Sequence, residues 1–487
     1  MRRSRNYKYL ALGTVGIGIF GSVVDHGSVN IALPTIADGF ATDLPTVQWV
    51  VIAYTLTISA LLLPMGRLSD LVGRKRIYIA GMAVFVGGAV LAGWSTSLPL
   101  LILARLLQGC GAGMTQGTGM AIITSSFPSE ERGKAIGLLM TTVGVGMIAG
   151  PAVGGLLVDA LGWRAVFIAA VPIGLTGLTA GWLVLQEPPG DREDPGRSPA
   201  FDWPGAALST SALVAFLLGM TNGYRFGWES PPVLAALLAF VALMAAFVLW
   251  ELRTPSPMLD LRLFRRRSFS LGVSANSLAF LGGSAVLVLM PFYLQKVLGF
   301  TPGEAGLITV PGAVCMALTG PISGRLSDRY GTRWFTVGGL ALSTTALFLF
   351  SRLTNSSPLY YVMIGIVLQN TGMGVFYSPN TSSVLSTVER SRYGVVSAFL
   401  NLVRNASNLT SVALGTAIVT ATMGSLGYEP SLEAVSNGGA DGVTAAFSSG
   451  LRNTFLVLGC LLAIGVALSS LTSERLPDRA AGVRSGA

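Results

Sequence analysis

Long apolar runs, each closed by a short polar turn, follow one another from end to end of this chain. An α-helix needs about 18 or more such residues to cross a hydrocarbon layer about 30 Å thick. The pattern predicts fourteen spans, near 10–36, 47–65, 77–96, 98–123, 134–157, 163–185, 204–222, 231–251, 270–293, 303–323, 335–351, 357–380, 395–422 and 451–471. One turn is repeated. Gly66-Arg67-Leu68-Ser69-Asp70-Leu71-Val72-Gly73-Arg74-Lys75, after the second span, returns as Gly324-Arg325-Leu326-Ser327-Asp328-Arg329-Tyr330-Gly331-Thr332-Arg333 after the tenth. A duplicated charged turn between apolar spans predicts two related halves. The two spans that follow the Pro/Gly-rich segment 187–203 have no counterpart in the repeat.

The expected fold is therefore an all-α polytopic membrane protein. It would have two six-helix bundles related by pseudo-two-fold symmetry, plus two inserted helices. The boundaries predicted are 1–186 for the first bundle, 187–203 for a cytoplasmic linker and 204–252 for the inserted pair. A second linker at 253–269, a second bundle at 270–471 and a cytoplasmic tail at 472–487 complete the chain.

Composition agrees with this reading. Hydrophobic residues make up 51% of the 487 positions and charged residues 11%, against about 25% charged in soluble domains. The net charge of +9 could suggest a nucleic-acid partner, but its distribution argues otherwise. Arg164, Arg225, Lys296, Arg352 and Arg452 fall on one side of the predicted spans, and Arg105 and Arg404 fall inside them. Every other Lys and Arg lies on the side of the N-terminus, which the positive-inside rule makes cytoplasmic, together with both termini. These charges are topology signals beside anionic lipid.

Enzyme chemistry finds little support. There is one histidine, and Cys110, Cys315 and Cys460 all lie within spans, so no metal site is expected. No GxxxxGK[ST] loop is present to bind ATP. The GxGxxG match at Gly16–Gly21 lies inside an apolar span, where it is a helix-packing surface.

Several polar residues stand out. In the repeated turn, Gly66 and Gly73 permit tight geometry, and Asp70 can cap a neighbouring helix N-terminus. Arg74 can reach a carboxylate across the cytoplasmic face, with Glu131 the expected partner; Gly324, Asp328 and Arg333 are the second copy. Arg105, within the fourth span, would cost at least about 2.5–3.5 kcal/mol in hydrocarbon. It should face the bundle interior and have a partner. Asp25 is the one acidic residue placed well inside a span. Burial disfavours its charge and a nearby Arg105 favours it, so Asp25 can load and release a proton; a static ion pair is the alternative. His26 beside it either assists proton transfer or is a hydrogen-bonded packing residue. Gly146, Gly150 and Gly154 form one helix stripe that admits a close neighbour, and Pro151, followed by Gly155 in the same run, permits a kink. Asn30, Gln108, Asn276, Phe376, Asn380, Asn401 and Asn405 are candidates for a substrate cavity, or they join helices to one another.

In this order the motifs resemble those of the major facilitator superfamily, and within it the fourteen-helix drug:proton antiporter subfamily. The resemblance rests on the GxLSDxxGRK turn at Gly66–Lys75, the RxxQG element at Arg105–Gly109, and GPxxGG at Gly150–Gly155. Val24–Pro34 is similar to the subfamily's Asp-x-Thr…Asn-x-Ala-x-Pro element, with Gly27 in place of threonine. Ala170 replaces the asparagine usual before Val171-Pro172. The resemblance implies a role in proton transfer for Arg105, an outward direction of transport from GPxxGG, and alternating access. An Arg74–Glu131 latch would hold the outward-open state. The expected function is export of lipophilic, cationic drugs or toxic compounds in exchange for protons. The alternatives are a lipid or self-made natural product as cargo, or proton-symport import of a nutrient. No cofactor is expected beyond the proton gradient. The partners are a small lipophilic substrate, protons and the bilayer, without nucleic acid, and the unit is a monomer in a bacterial cytoplasmic membrane.

Overall fold

The computed structural model describes residues 6–42, 44–47, 49–128, 131–187, 201–227, 229–255, 257–300, 302–389, 392–428 and 441–472. Most of the predicted first linker and all but the first residue of the predicted tail lie outside the described residues. Fourteen long helices are found among the described residues. In chain order they are α1 (Tyr7–Gly39), α2 (Trp49–Val72), α3 (Arg74–Gly93), α4 (Leu98–Ser126), α5 (Arg132–Leu161), α6 (Arg164–Val184) and α7 (Trp203–Phe226). They continue as α8 (Pro231–Arg253), α9 (Arg267–Phe292), α10 (Pro302–Tyr330), α11 (Arg333–Phe350), α12 (Leu359–Leu385), α13 (Tyr393–Ser425) and α14 (Asp441–Ser470).

Thirteen of these are long and apolar enough by themselves to cross a membrane. The exception is α13, which the sequence reading counts as a span like the others. Its 33 residues include Asn401, Arg404, Asn405 and Asn408, which dilute its apolar content. Large apolar side chains such as Trp182, Leu183, Leu238 and Leu307 are exposed on the outer surface. Hydrocarbon can cover such a surface and water cannot.

The described helices belong to two compact units. One holds Met1–Phe127, Thr142–Arg262 and Val388–Asn405; the other holds Pro128–Thr141, Leu263–Thr387 and Ala406–Ala487. In the first, α4 packs on α1, α2 and α3, while α6 packs on α1 and α3. The second unit repeats this arrangement, with α12 on α9, α10 and α11, and α14 on α9 and α11. The inserted α7 and α8 pack on each other, and α7 also lies against α2. The division does not follow the sequence halves. The starts of α5 and α13 each belong to the unit built mainly from the other half.

Small residues set the closest approaches. A Cβ on Gly111 of α4 would lie 2.3 Å from the Phe85 backbone nitrogen of α3. At Gly372 of α12 it would lie 2.6 Å from the Gly339 carbonyl of α11. The repeated turn needs glycine for another reason. Gly73 and Gly331 have φ of 118° and 93°, in the region L side chains avoid.

A side chain at Gly111 must therefore push α3 and α4 apart. Gly111→Val is expected to lower the midpoint of thermal unfolding in detergent, with a cost of about 1–3 kcal/mol or more. Gly87→Ala on α3, whose Cβ would meet nothing within 4 Å, is expected to leave the midpoint near native.

Candidate functional site

The polar residues of α1 and α4 meet in a closed cluster inside the first unit. Arg105 Nη1 lies 2.7 Å from Asp25 Oδ2, and both side chains are completely buried. Gln108, one turn along α4, completes the triad. Its Nε2 donates to Asp25 Oδ1 at 3.0 Å and its Oε1 accepts from Arg105 Nη1 at 2.7 Å. Arg105 Nε donates to the Val50 carbonyl of α2 at 3.1 Å. The guanidinium also lies 4.0 Å from the Tyr54 ring centre and 5.7 Å from that of Phe167, a cation–π arrangement that favours a desolvated charge. Arg105 Nη2 has no hydrogen-bond partner among the described residues.

Each element places its group for a reason visible in the packing. The arginine sits on the side of α4 that faces α1 and α2, because no lipid-facing position could satisfy it. Gln108 was expected in a substrate cavity, but its carboxamide is engaged by the ion pair. His26 is half-buried, its ring 6.3 Å from that of Tyr54 and inclined by 25°. Asn30 is exposed and donates to the His26 carbonyl at 3.0 Å. Tyr54 and the Val50 carbonyl are the members that sequence reasoning missed. Both sit in an apolar run and carry no local signal.

The glycine stripe of α5 packs directly on α1. Cβ atoms on Gly146, Gly150 and Gly154 would meet Val23, the Val24 carbonyl at 3.0 Å and Ser28 Cα at 2.5 Å. Gly155, outside the stripe, would meet Ile31 only at 4.0 Å. Ser28 Oγ donates to the Gly150 carbonyl at 2.7 Å. The departure at Gly27 has a steric cause here, since its Cβ would lie 3.0 Å from Pro151 Cδ.

The repeated turns do parallel work in the two units. Asp70 accepts the Val395 N–H at the start of α13 at 3.1 Å, while Arg74 pairs with its other oxygen at 2.9 Å. Asp328 accepts the N–H groups of Gly133 and Lys134 at the start of α5, at 3.0 and 3.1 Å. Both helix starts thereby gain a carboxylate where their free N–H groups point. The carboxylate facing Arg74 is Asp70 of the same turn. Glu131, the partner expected from sequence, stands just before α5. In the second turn, Gly324 backs onto the Gly133 carbonyl, and Arg333 donates to the Ser470 carbonyl.

The remaining cavity candidates are distributed over both units. Asn380 of α12 donates to the Gly272 carbonyl of α9 at 3.1 Å, and Asn276 is buried one turn further along α9. Phe376 is fully buried where α12 meets Gly339. Asn401 and Asn405 belong to the first unit, where Asn405 donates to Ser59 Oγ of α2 at 3.1 Å. Asn380 and Asn405 each join two helices of their own unit.

The start of α13 has a second anchor. Arg392 Nη1 donates to Asp260 Oδ2 at 2.7 Å, and Asp260 Oδ1 accepts the Arg262 N–H at 3.0 Å. Burial works against the charge on Asp260, yet these hydrogen bonds and the two arginine charges hold its carboxyl below the ordinary carboxylate value.

A repeated six-helix arrangement, a buried Asp–Arg pair and capping carboxylates at matching turns define a polytopic membrane carrier. The sequence model for the Major Facilitator Superfamily matches residues 15–220 and 272–486, and the chain belongs to that superfamily. The riboflavin transporter RibZ of Clostridioides difficile is 35% identical over 84% of this chain and 87% of its own. The multidrug resistance protein Stp of Mycobacterium tuberculosis is 31% identical, over 86% and 75%. The tetracenomycin C resistance and export protein of Streptomyces glaucescens is 30% identical, over 86% and 77%. Among solved structures, the human organic anion transporter MFSD10 superposes with a TM-score of 0.64 at 17% identity, covering 93% of this chain and 99% of that one. It shares the fold.

Asp260 supplies a pH test. A carboxyl held below its unfolded value stabilises the fold above the ordinary carboxylate range, and that contribution fades as pH falls through the folded value. Asp260→Asn is expected to lower the unfolding midpoint at neutral pH. The gap from native should close on acidification, as followed by thermal unfolding across a pH series.

Proposed function

We propose that this transporter exports lipophilic organic cations from the cytoplasm in exchange for protons. The observation that carries the reading is the Asp25–Arg105–Gln108 cluster, an ion pair wholly buried on helices that cross the bilayer. Protonating Asp25 removes the negative member and leaves the guanidinium facing neutral groups. Leaving one member of a buried pair without its partner costs about 3–5 kcal/mol. A protonated Asp25 therefore drives a change of partners around Arg105, and a deprotonated Asp25 restores the pair. Alternation of that kind couples proton uptake on one side to substrate release on the same side. The N–H of Arg105 that lacks a partner is a spare donor for the rearranged state. In this reading the caps made by Asp70 and Asp328 on α13 and α5 break and reform as access alternates. Both termini are cytoplasmic, and the membrane is the bacterial inner membrane.

Relatives named for multidrug resistance and for tetracenomycin C export support an outward direction. The second of these also supports the alternative cargo, a self-made natural product. A relative named as a riboflavin transporter adds a neutral heteroaromatic to the substrates to be tried.

The test is proton efflux from acid-loaded inverted vesicles carrying equal amounts of native or Asp25→Asn protein. Monovalent lipophilic cations are expected to collapse the gradient with native protein and not with the variant. Efflux that is equal in both would place coupling elsewhere. A response to a natural product or riboflavin alone would replace the cationic substrate.

Stoichiometry gives a further expectation. One proton exchanged for a monovalent cation is electroneutral and uses only the pH gradient, about 1.4 kcal/mol per unit. A divalent bis-cation would have to move its extra charge against about 2.3 kcal/mol per 100 mV. In the same vesicles, with an inside-positive potential imposed, bis-cations are expected to elicit less proton efflux than their monovalent analogues.

A further inference from the structure

The inserted helices carry a second pair of buried carboxylates, unrelated to Asp25. Asp202 caps the start of α7 and Glu251 lies in the last turn of α8, with 6% and 4% of their surfaces exposed. Asp202 Oδ1 accepts the Gly205 N–H at 2.9 Å and the Trp250 Nε1–H at 2.8 Å. Glu251 accepts on both oxygens, from the Met258 N–H at 3.3 Å and the Leu259 N–H at 3.2 Å. That leaves Asp202 Oδ2, which is buried and has no hydrogen-bond partner among the described residues. It lies near Glu251. Asp202 Oδ2 and Glu251 Oε1 lie 2.3 and 2.9 Å from one point, the position of a Cβ built on Gly205.

Two ionised carboxylates in one buried place repel each other, and an acceptor with no donor is costly to bury. A proton shared between the two carboxyls removes both faults, because an acid O–H then lies between Asp202 Oδ2 and Glu251 Oε1. Both oxygens of Glu251 still accept from the Met258 and Leu259 N–H groups. The elements around the pair carry Arg253 at the end of α8, Asp260 and Arg262 in the loop after it, Arg67 and Asp70 on α2, and Arg392 before α13. Asp70 is paired with Arg74 and Asp260 with Arg392, while Arg253 and Arg262 are exposed.

The pair is joined to the start of α13 by consecutive bonds within the first unit. Glu251 holds Met258 and Leu259, the next residue Asp260 holds Arg392, and three residues later the Val395 N–H reaches Asp70. We propose that Asp202 and Glu251 share one proton, forming a proton-binding site separate from Asp25, and that its occupancy sets how firmly the loop after α8 holds the start of α13. When the proton leaves, the facing charges drive Glu251 off the loop, and the Asp260–Arg392 anchor loosens with it. Asp260 does not titrate in this range, since its carboxyl is held ionised by Arg392.

The test is amide hydrogen exchange of the full-length protein in lipid nanodiscs, corrected for the intrinsic rate, from neutral to alkaline pH. It needs no substrate, so its outcome is independent of the transport assay. In native protein, protection of Met258 and Leu259 and of Gly394 and Val395 is expected to fall together, several-fold, as pH rises. Asp202→Asn replaces the acid O–H with a permanent N–H donor, so both segments should stay protected at every pH. Asp260→Asn should leave the pH dependence at Met258 and Leu259 and abolish it at Gly394 and Val395. The proposal is overturned if Asp202→Asn follows the native pH profile. It is overturned equally if the α13 start keeps its pH response in Asp260→Asn.

Discussion

An arginine charge inside the membrane has to be answered, and much of the first unit is arranged around that requirement. Arg105 can satisfy its guanidinium only where α1, α2, α4 and α6 come together. Asp25 supplies the counter-charge, Val50 a carbonyl, and Tyr54 and Phe167 aromatic faces. Desolvating this charge without its partners would cost several kcal/mol, so the cluster fixes which faces of those helices look inward. The glycine stripe of α5 and the departure at Gly27 then follow. With Asp25 turned toward Arg105, a neighbouring face of α1 is free for close backbone approach by α5, and a side chain larger than hydrogen at position 27 would meet Pro151. A membrane carrier thus keeps its chemistry and its packing on adjacent faces of one helix.

The second principle of construction is the repeat. The helix pairings of α1, α2, α3, α4 and α6 recur in α9, α10, α11, α12 and α14. The fifth helix of each half behaves differently, since its start belongs to the unit of the other half and is capped by that half's aspartate. A carboxylate at a helix N-terminus satisfies exposed N–H groups and the helix dipole together. In the first turn the same carboxylate also neutralises Arg74, so one side chain links the turn after α2, the start of α3 and the start of α13. The inserted α7 and α8 are tied into this arrangement. Glu251 holds the following loop, and the loop holds Arg392 at the same helix start.

The all-helical membrane fold, the internal repeat and the family were legible in the sequence. Each depends on local information: apolar runs of membrane length, a ten-residue peptide written twice, and motifs in a fixed order. Asp25 and Arg105 were legible as a pair for a similar reason, because a charge in a hydrocarbon span demands an opposite one and few were available. Gly73 was legible as a turn residue, and its positive φ gives the reason.

Tertiary structure decided what local information could not carry. Gln108 joins the ion pair because α4 turns it, one helical turn from Arg105, toward the same carboxylate. Arg74 pairs with Asp70 because a four-residue spacing across the α2–α3 turn brings them together at 2.9 Å. Asn405 and Asn380 bond to a serine and a carbonyl of neighbouring helices, partners that no local pattern names. Tyr54 and Val50, silent in an apolar run, became ligands of a charge through the packing of α2 on α4. Glu251 looked like the end of a span until the fold placed it over Asp202. The sequence by itself determined which segments enter the membrane and which charges must be satisfied there, because both follow from the cost of transferring groups out of water. Only the packing of the helices decided which partner satisfies each one, because that depends on the faces they turn to each other.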